Sequence, residues 1–182
     1  MIAAGCGGAA HAPATPKESG WPLPAGWKRE EIPFPLGFAP TLNHQGVEEL
    51  RFPPGFSKAE SPNHWSYAFE WRLTDEASLD AGALGAELAA YFRGLLVAVD
   101  GDRHRFDPAA ITATATARGD GFAIAAHVFA AFGDAAPIDL TGHARRYVCA
   151  EHRVVWRFVL APAASPLRKT LDDLVAIRPC ME

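Results

Sequence analysis

Four residues of this chain carry the side chains of acid/base chemistry: Glu70, His127 and His143, which strands could bring together on one face, and Glu48 on another. Two imidazoles and a carboxylate on neighbouring strands would relay a proton or hold a metal, because histidine changes charge near neutral pH and ligates through either ring nitrogen. Glu48 is a separate case. It shares a strand face with Leu50 and Phe52, where a carboxylate must find a partner or take up a proton, which is how a general base is tuned. Arg72, Arg145, Tyr147 and Arg157 fall at the same alternation as Glu70 and the histidines, and guanidinium and phenol groups are what an anionic ligand would meet. The plainer reading of this surface is solvation. Thr112, Thr114 and Thr116 are good strand formers, and cross-strand Glu/Arg pairs are ordinary on a hydrated sheet face. No cofactor is specified, and whether a metal binds stays open.

The elements that position these residues follow from periodicity. Residues 64–74 place Trp65, Tyr67, Phe69, Trp71 and Leu73 on one face and Ser66, Ala68, Glu70 and Arg72 on the other, which predicts a strand whose aromatic row is core. Residues 46–52 alternate likewise and end at Pro53-Pro54-Gly55. Leu84, Leu88, Tyr91, Phe92, Leu95 and Leu96 recur at helical spacing across 79–99, with Asp80 as the cap. Strands over 111–118, 122–132, 138–149 and 152–160, joined by short Gly/Asp/Ala turns, are antiparallel neighbours. A second helix follows Ser165-Pro166 with Leu167, Leu171, Leu174 and Val175 on one face. The expected fold is α+β, an antiparallel sheet of about six strands in the order ββαββββα with both helices on one face. Residues 27–40, rich in proline, read as a strap across an edge of the core.

At 182 residues, 49% hydrophobic and 21% charged, the chain suits one domain with a real core. Its net charge of -4 and scattered arginines offer no attraction for phosphate backbones, so nucleic acid is excluded as a partner, and no sequence stretch reads as a membrane span. There is no GxSxG elbow, phosphate-binding Gly-rich loop, GxGxxG or HExxH.

Residues 1–26 are low-complexity Gly, Ala, Pro and Ser and read as a flexible tether preceding a domain at 27–182. The run Ile2-Ala3-Ala4-Gly5-Cys6-Gly7-Gly8 resembles the lipobox of bacterial lipoproteins. That resemblance implies lipidation of Cys6 and residence in the cell envelope, lipid-anchored or periplasmic or extracellular, with membrane contact only through the anchor. Setting Cys6 aside leaves Cys149 and Cys180, an even pair that predicts a disulfide in an exported protein. The element order over residues 47–177 resembles the PsbP/Mog1 family, and the segments 46–55 and 65–69 look like a bacterial domain family; neither likeness implies an activity. The functional expectation is a noncatalytic envelope lipoprotein domain binding a small molecule or an envelope protein on its polar face. The alternative is a metal- or acid/base-dependent hydrolase or lyase built on the histidines and a carboxylate.

Overall fold

In the computed structural model, which describes residues 20–75, 78–150 and 153–180, seven strands form one antiparallel sheet. They are β1 (Lys28–Pro33), β2 (Gly46–Phe52), β3 (Tyr67–Leu73), β4 (Thr112–Arg118), β5 (Gly121–Phe129), β6 (Pro137–Val148) and β7 (Val154–Pro162), in the spatial order β1-β2-β3-β7-β6-β5-β4. Helix α1 (Ala81–Asp100) follows β3, and α2 (Arg168–Ala176) closes the chain. The fold is therefore α+β as expected, with one strand more than the sequence suggested. The additional strand is β1. Its charged, proline-ended run KREEIP occupies an edge, where proline costs no ladder bond and charges discourage further pairing.

One face of the sheet is the main core. Trp65, Tyr67, Phe69, Trp71 and Leu73 are buried there with Trp156, Phe158 and Leu160 of β7, under Leu84, Leu88, Tyr91, Phe92 and Leu96 of α1. Phe69 and Phe158 stack with centroids 4.4 Å apart, and Phe69 stacks on Tyr91 at 5.6 Å. The Asp80 side chain accepts from the Ala83 N–H and caps α1. By length and hydropathy α1 could cross a membrane, contrary to the sequence expectation, but its apolar stripe is spent on this core. Gly85 lets it settle onto β4: a Cβ there would lie 3.2 Å from the Ala115 nitrogen.

The expectation that both helices share a face does not hold. Strand β7 is apolar on both sides, and Val159 and Ala161 join Ala68 of β3 in a second apolar patch on the opposite face. Leu171, Leu174 and Val175 of α2 cover that patch together with Trp21. Trp21, which the sequence assigns to the tether, is 4% exposed and donates from Nε1 to the Leu174 carbonyl at 3.1 Å. Trp21→Phe removes this donor and part of the buried ring, and a loss of at least roughly 1 kcal/mol in urea denaturation is expected; an unchanged midpoint would show that Trp21 does not hold α2 to the sheet.

Cys149 and Cys180 form a disulfide with Cα atoms 5.3 Å apart. It ties the end of β6 to the tail beyond α2, closing a separation of 31 residues and contributing roughly 3 kcal/mol. Cys6 lies outside the described residues, as does His152 at the start expected for β7.

Candidate functional site

The strand registers arrange the second face in transverse rows. One row runs across the whole sheet as Glu31, Glu49, Glu70, Arg157, Arg145, Gly121 and Arg118, from β1 to β4. Its acidic half is locked into ion pairs. Arg72 Nη1 reaches Glu49 and Glu70, Arg72 Nη2 donates to Glu31 at 2.7 Å, and Arg29 Nε donates to Glu49 at 2.9 Å. Arg157 Nε donates to Glu70 Oε2 at 2.8 Å, with both residues almost fully buried. Trp21 lies over the guanidiniums of Arg51 and Arg157 at 4.7 and 4.9 Å, and Arg51 donates to the carbonyls of Trp21 and Pro22. Burial pushes the Glu49 carboxyl up, but the hydrogen bond from Arg29 and the fields of Arg72 and Arg51 outweigh it and hold it at about 2. For Glu70 burial dominates its arginine partners and the carboxyl sits above its ordinary value.

This half of the face is thus a largely buried ionic layer, with Arg29, Glu31 and Arg72 partly exposed at its edge. Glu70, Arg72 and Arg157, expected in a site, are engaged in ion pairs across the strands, and Arg157 also ties the sheet to its cover through the Ile177 carbonyl and Trp21. Tyr147, also expected to meet a ligand, donates from its hydroxyl to the Val175 carbonyl at 2.7 Å and fixes α2.

The two histidines are not brought together. His127 stands opposite Asp139 and His143 opposite Ala123, a shift of four residues or roughly 14 Å along the strands. The His127 Nδ1 is 2.7 Å from Asp139 Oδ1 in an exposed pair. Glu48 lies on the other side of the sheet, buried beneath α1, with Trp71 Nε1 donating to its Oε1 at 3.2 Å. Desolvation pushes its carboxyl up to about 7, against the hydrogen bonds of Trp71 and Tyr91. Among the described residues no group of three or more His, Cys, Asp or Glu side chains is arranged to hold a metal. The four residues expected to form an acid/base centre therefore occupy four separate environments.

The basic half of the row is open. Arg145 faces Arg157 directly across the β6–β7 ladder, a like-charge juxtaposition that strands ordinarily avoid. Glu70 neutralises Arg157, whereas Arg145 has, among the described residues, the Asp120 carboxylate at 3.6 Å, itself largely exposed. Gly121 separates Arg145 from Arg118. A Cβ there would lie 2.3 Å from the Ala144 carbonyl, so only glycine fits, and it leaves a notch between Arg118 and Arg145, whose backbones are about two strand spacings, or ~10 Å, apart. The notch opens into a groove of about 690 Å³ between β4–β6 and α2, where His143, Thr141, Arg168 and Asp172 complete the lining.

Each wall has a local cause. Arg168 donates to Thr141 Oγ1 at 2.7 Å and to the carbonyls of Thr141, Ala161 and Pro162, which seats the start of α2 over the ends of β6 and β7. Asp172, one turn on, comes within 3.6 Å of His143 Nδ1. Burial lowers the His143 pKa; Asp172 opposes this and Arg145, Arg118 and Arg168 reinforce it, so the ring favours its neutral form. An anion placed among these groups would be held by Arg118 and Arg145 and would draw a proton onto His143.

Of the residues marked in the sequence, His143 and Arg145 share this groove. Arg118 and Arg168 were missed. The sequence signal for Arg118 was its end-of-strand position before the Gly119-Asp120-Gly121 turn; nothing local pointed Arg168 at the sheet. His44 was not singled out in the sequence and is another omission. It lies buried between Asp75 at 2.8 Å and Glu87 at 2.9 Å, and the Glu87 hydrogen bond, ahead of that from Asp75, raises its pKa to about 9 despite burial.

In comparisons with protein-family models, curated proteins and solved structures, nothing matches this chain.

Proposed function

We propose that this is a noncatalytic binding domain of the cell envelope that holds a small anionic ligand in the groove between β4–β6 and α2. The observation that carries the reading is the basic half of the row, where Arg145 is met by one long, exposed ion pair to Asp120. Arg118 and Arg145 face an open notch in a protein of net charge -4, where selection for stability alone would have placed a carboxylate opposite Arg145. The recognised chemistry is an acid group, carboxylate or phosphate, taken by guanidinium forks. The dispersal of Glu48, Glu70, His127 and His143 favours binding over the alternative hydrolase or lyase. The envelope setting and lipid anchor rest on the resemblance around Cys6 and on the Cys149–Cys180 disulfide.

Calorimetric titration with acetate, succinate, phosphate and a neutral sugar tests the site. The anions are expected to bind and the sugar to give no heat. Arg118→Gln and Arg145→Gln are each expected to weaken anion binding about tenfold, the worth of a charge-assisted hydrogen bond. Wild-type affinity retained in both variants would remove the groove from consideration. The anchor is tested separately: Cys6→Ser should move the protein from the membrane to the soluble fraction, and an unchanged distribution would defeat it.

A further inference from the structure

The groove does not end at Arg145. A second cavity of about 400 Å³ continues it along the flank of α2 and shares Arg145 and Asp120 with the first. Its far wall is Arg178 and Cys180, held against the sheet by the disulfide to Cys149 and by the Tyr147 bond to Val175. The two cavities together are lined by five arginines and two aspartates. Arg178 has no ion pair among the described residues and stands just beyond α2, ten residues after Arg168. The nine-residue helix alone spans roughly 13 Å, and the Thr141 to Arg145 stretch beneath it covers a similar length. Positive charge therefore sits in the middle of the trough at Arg118 and Arg145 and again at its distal end at Arg178.

We infer that the ligand is a linear molecule with acid groups at both ends, lying along α2 with one acid in the Arg118–Arg145 notch and the other at Arg178. This rests on the reading of the groove as an anion site and adds the shape of what it takes. Within the trough the backbone groups of β5 and β6 are committed to the ladder, so an added peptide strand finds no pairing edge on this floor. The large aromatic side chains lining it are Phe122 and Tyr147, one packed against the core and one bonded to α2, which leaves no stacking platform for a sugar ring. Charge at two separated points is what remains for recognition.

A homologous series of α,ω-dicarboxylates, from succinate through adipate and suberate to dodecanedioate, measures this by calorimetry on the intact chain. Affinity is expected to rise at least tenfold from succinate to the members long enough to reach Arg178. Arg178→Gln should abolish that rise while leaving succinate unchanged, and Arg118→Gln should weaken every member. An affinity that is flat with length, or a length dependence untouched by Arg178→Gln, overturns the two-ended ligand while leaving the groove as a simple anion site. If no member binds, the groove reading itself fails and takes this inference with it.

Discussion

Arg157→Met is expected to lower folding stability by about 4 kcal/mol, the cost of removing one partner from a buried ion pair. Arg157 is 1% exposed, donates to Glu70 and to the Ile177 carbonyl, and lies under the Trp21 ring. Without it, Glu70 keeps only the partly exposed Arg72 as a cation, at 3.0 Å. Burial already holds the Glu70 carboxyl above its ordinary value, and losing Arg157 raises it further, so the variant can relieve the uncompensated charge by taking up a proton. The loss should therefore be smaller at pH 5 than at pH 8. Urea denaturation at both values, with Glu70→Gln and the double variant closing a cycle, separates the pair from its surroundings. A loss under 1 kcal/mol would mean that Arg157 does not hold the sheet to Trp21 and α2, and a loss that persists unchanged when Glu70 is already glutamine would mean that the pair with Glu70 contributes nothing to it.

Glu48→Gln should act in the opposite direction, stabilising the protein by up to roughly 3 kcal/mol at pH 8 and by almost nothing at pH 4.5. A carboxyl whose pKa rises from 4.5 in the unfolded chain to about 7 in the fold binds its proton more tightly when folded. Stability is then highest below pH 4.5, falls as pH rises to about 7, and stays reduced beyond; 2.5 units correspond to ~3 kcal/mol. Glutamine keeps an acceptor for Trp71 and carries no charge. His44 adds a second decline at higher pH. Its contribution is complete below pH 6.5 and is lost as pH rises through about 9, when the imidazolium between Asp75 and Glu87 deprotonates. Glu49 sets the acid limit, since its contribution is present above pH 4.5 and lost as pH falls towards 2. His64 and His143, both lowered chiefly by burial, oppose the trend between pH 6.5 and their folded values. Melts of the wild type should thus show greater stability near pH 5 than near pH 9. If Glu48→Gln shifts the midpoint equally at pH 4.5 and pH 8, Glu48 is not the titrating group.

These two buried carboxylates bear on the functional reading. Glu48 and Glu70 were attractive as catalytic groups because a carboxyl with a raised pKa can serve as a general base. In the fold neither lies in the groove, and each pKa is explained by what surrounds it: an aromatic core for Glu48, an arginine-bridged layer for Glu70. The open groove instead holds Arg118, Arg145 and a half-buried neutral histidine, which suits holding an anion.

Alternation and helical periodicity by themselves determined the aromatic row of β3, the capped helix α1 and the parity that puts His143, Arg145 and Arg157 on one face. Those are local properties, set by where consecutive side chains point on a strand or helix. Register and cover are not local. Whether His127 meets His143 depends on how β5 slides against β6, and the four-residue offset follows from the lengths of the strands and of the turn between them. The placement of α2 depended on β7, whose run VVWRFVLA is apolar on both faces except at Arg157 and so calls for cover on each side. Once α2 and Trp21 occupied the second face, half of its polar row became a largely buried ionic layer and the other half a groove. Only the tertiary structure could divide that row, because burial, and not residue type, decides whether an arginine is a structural tie or a site for a ligand.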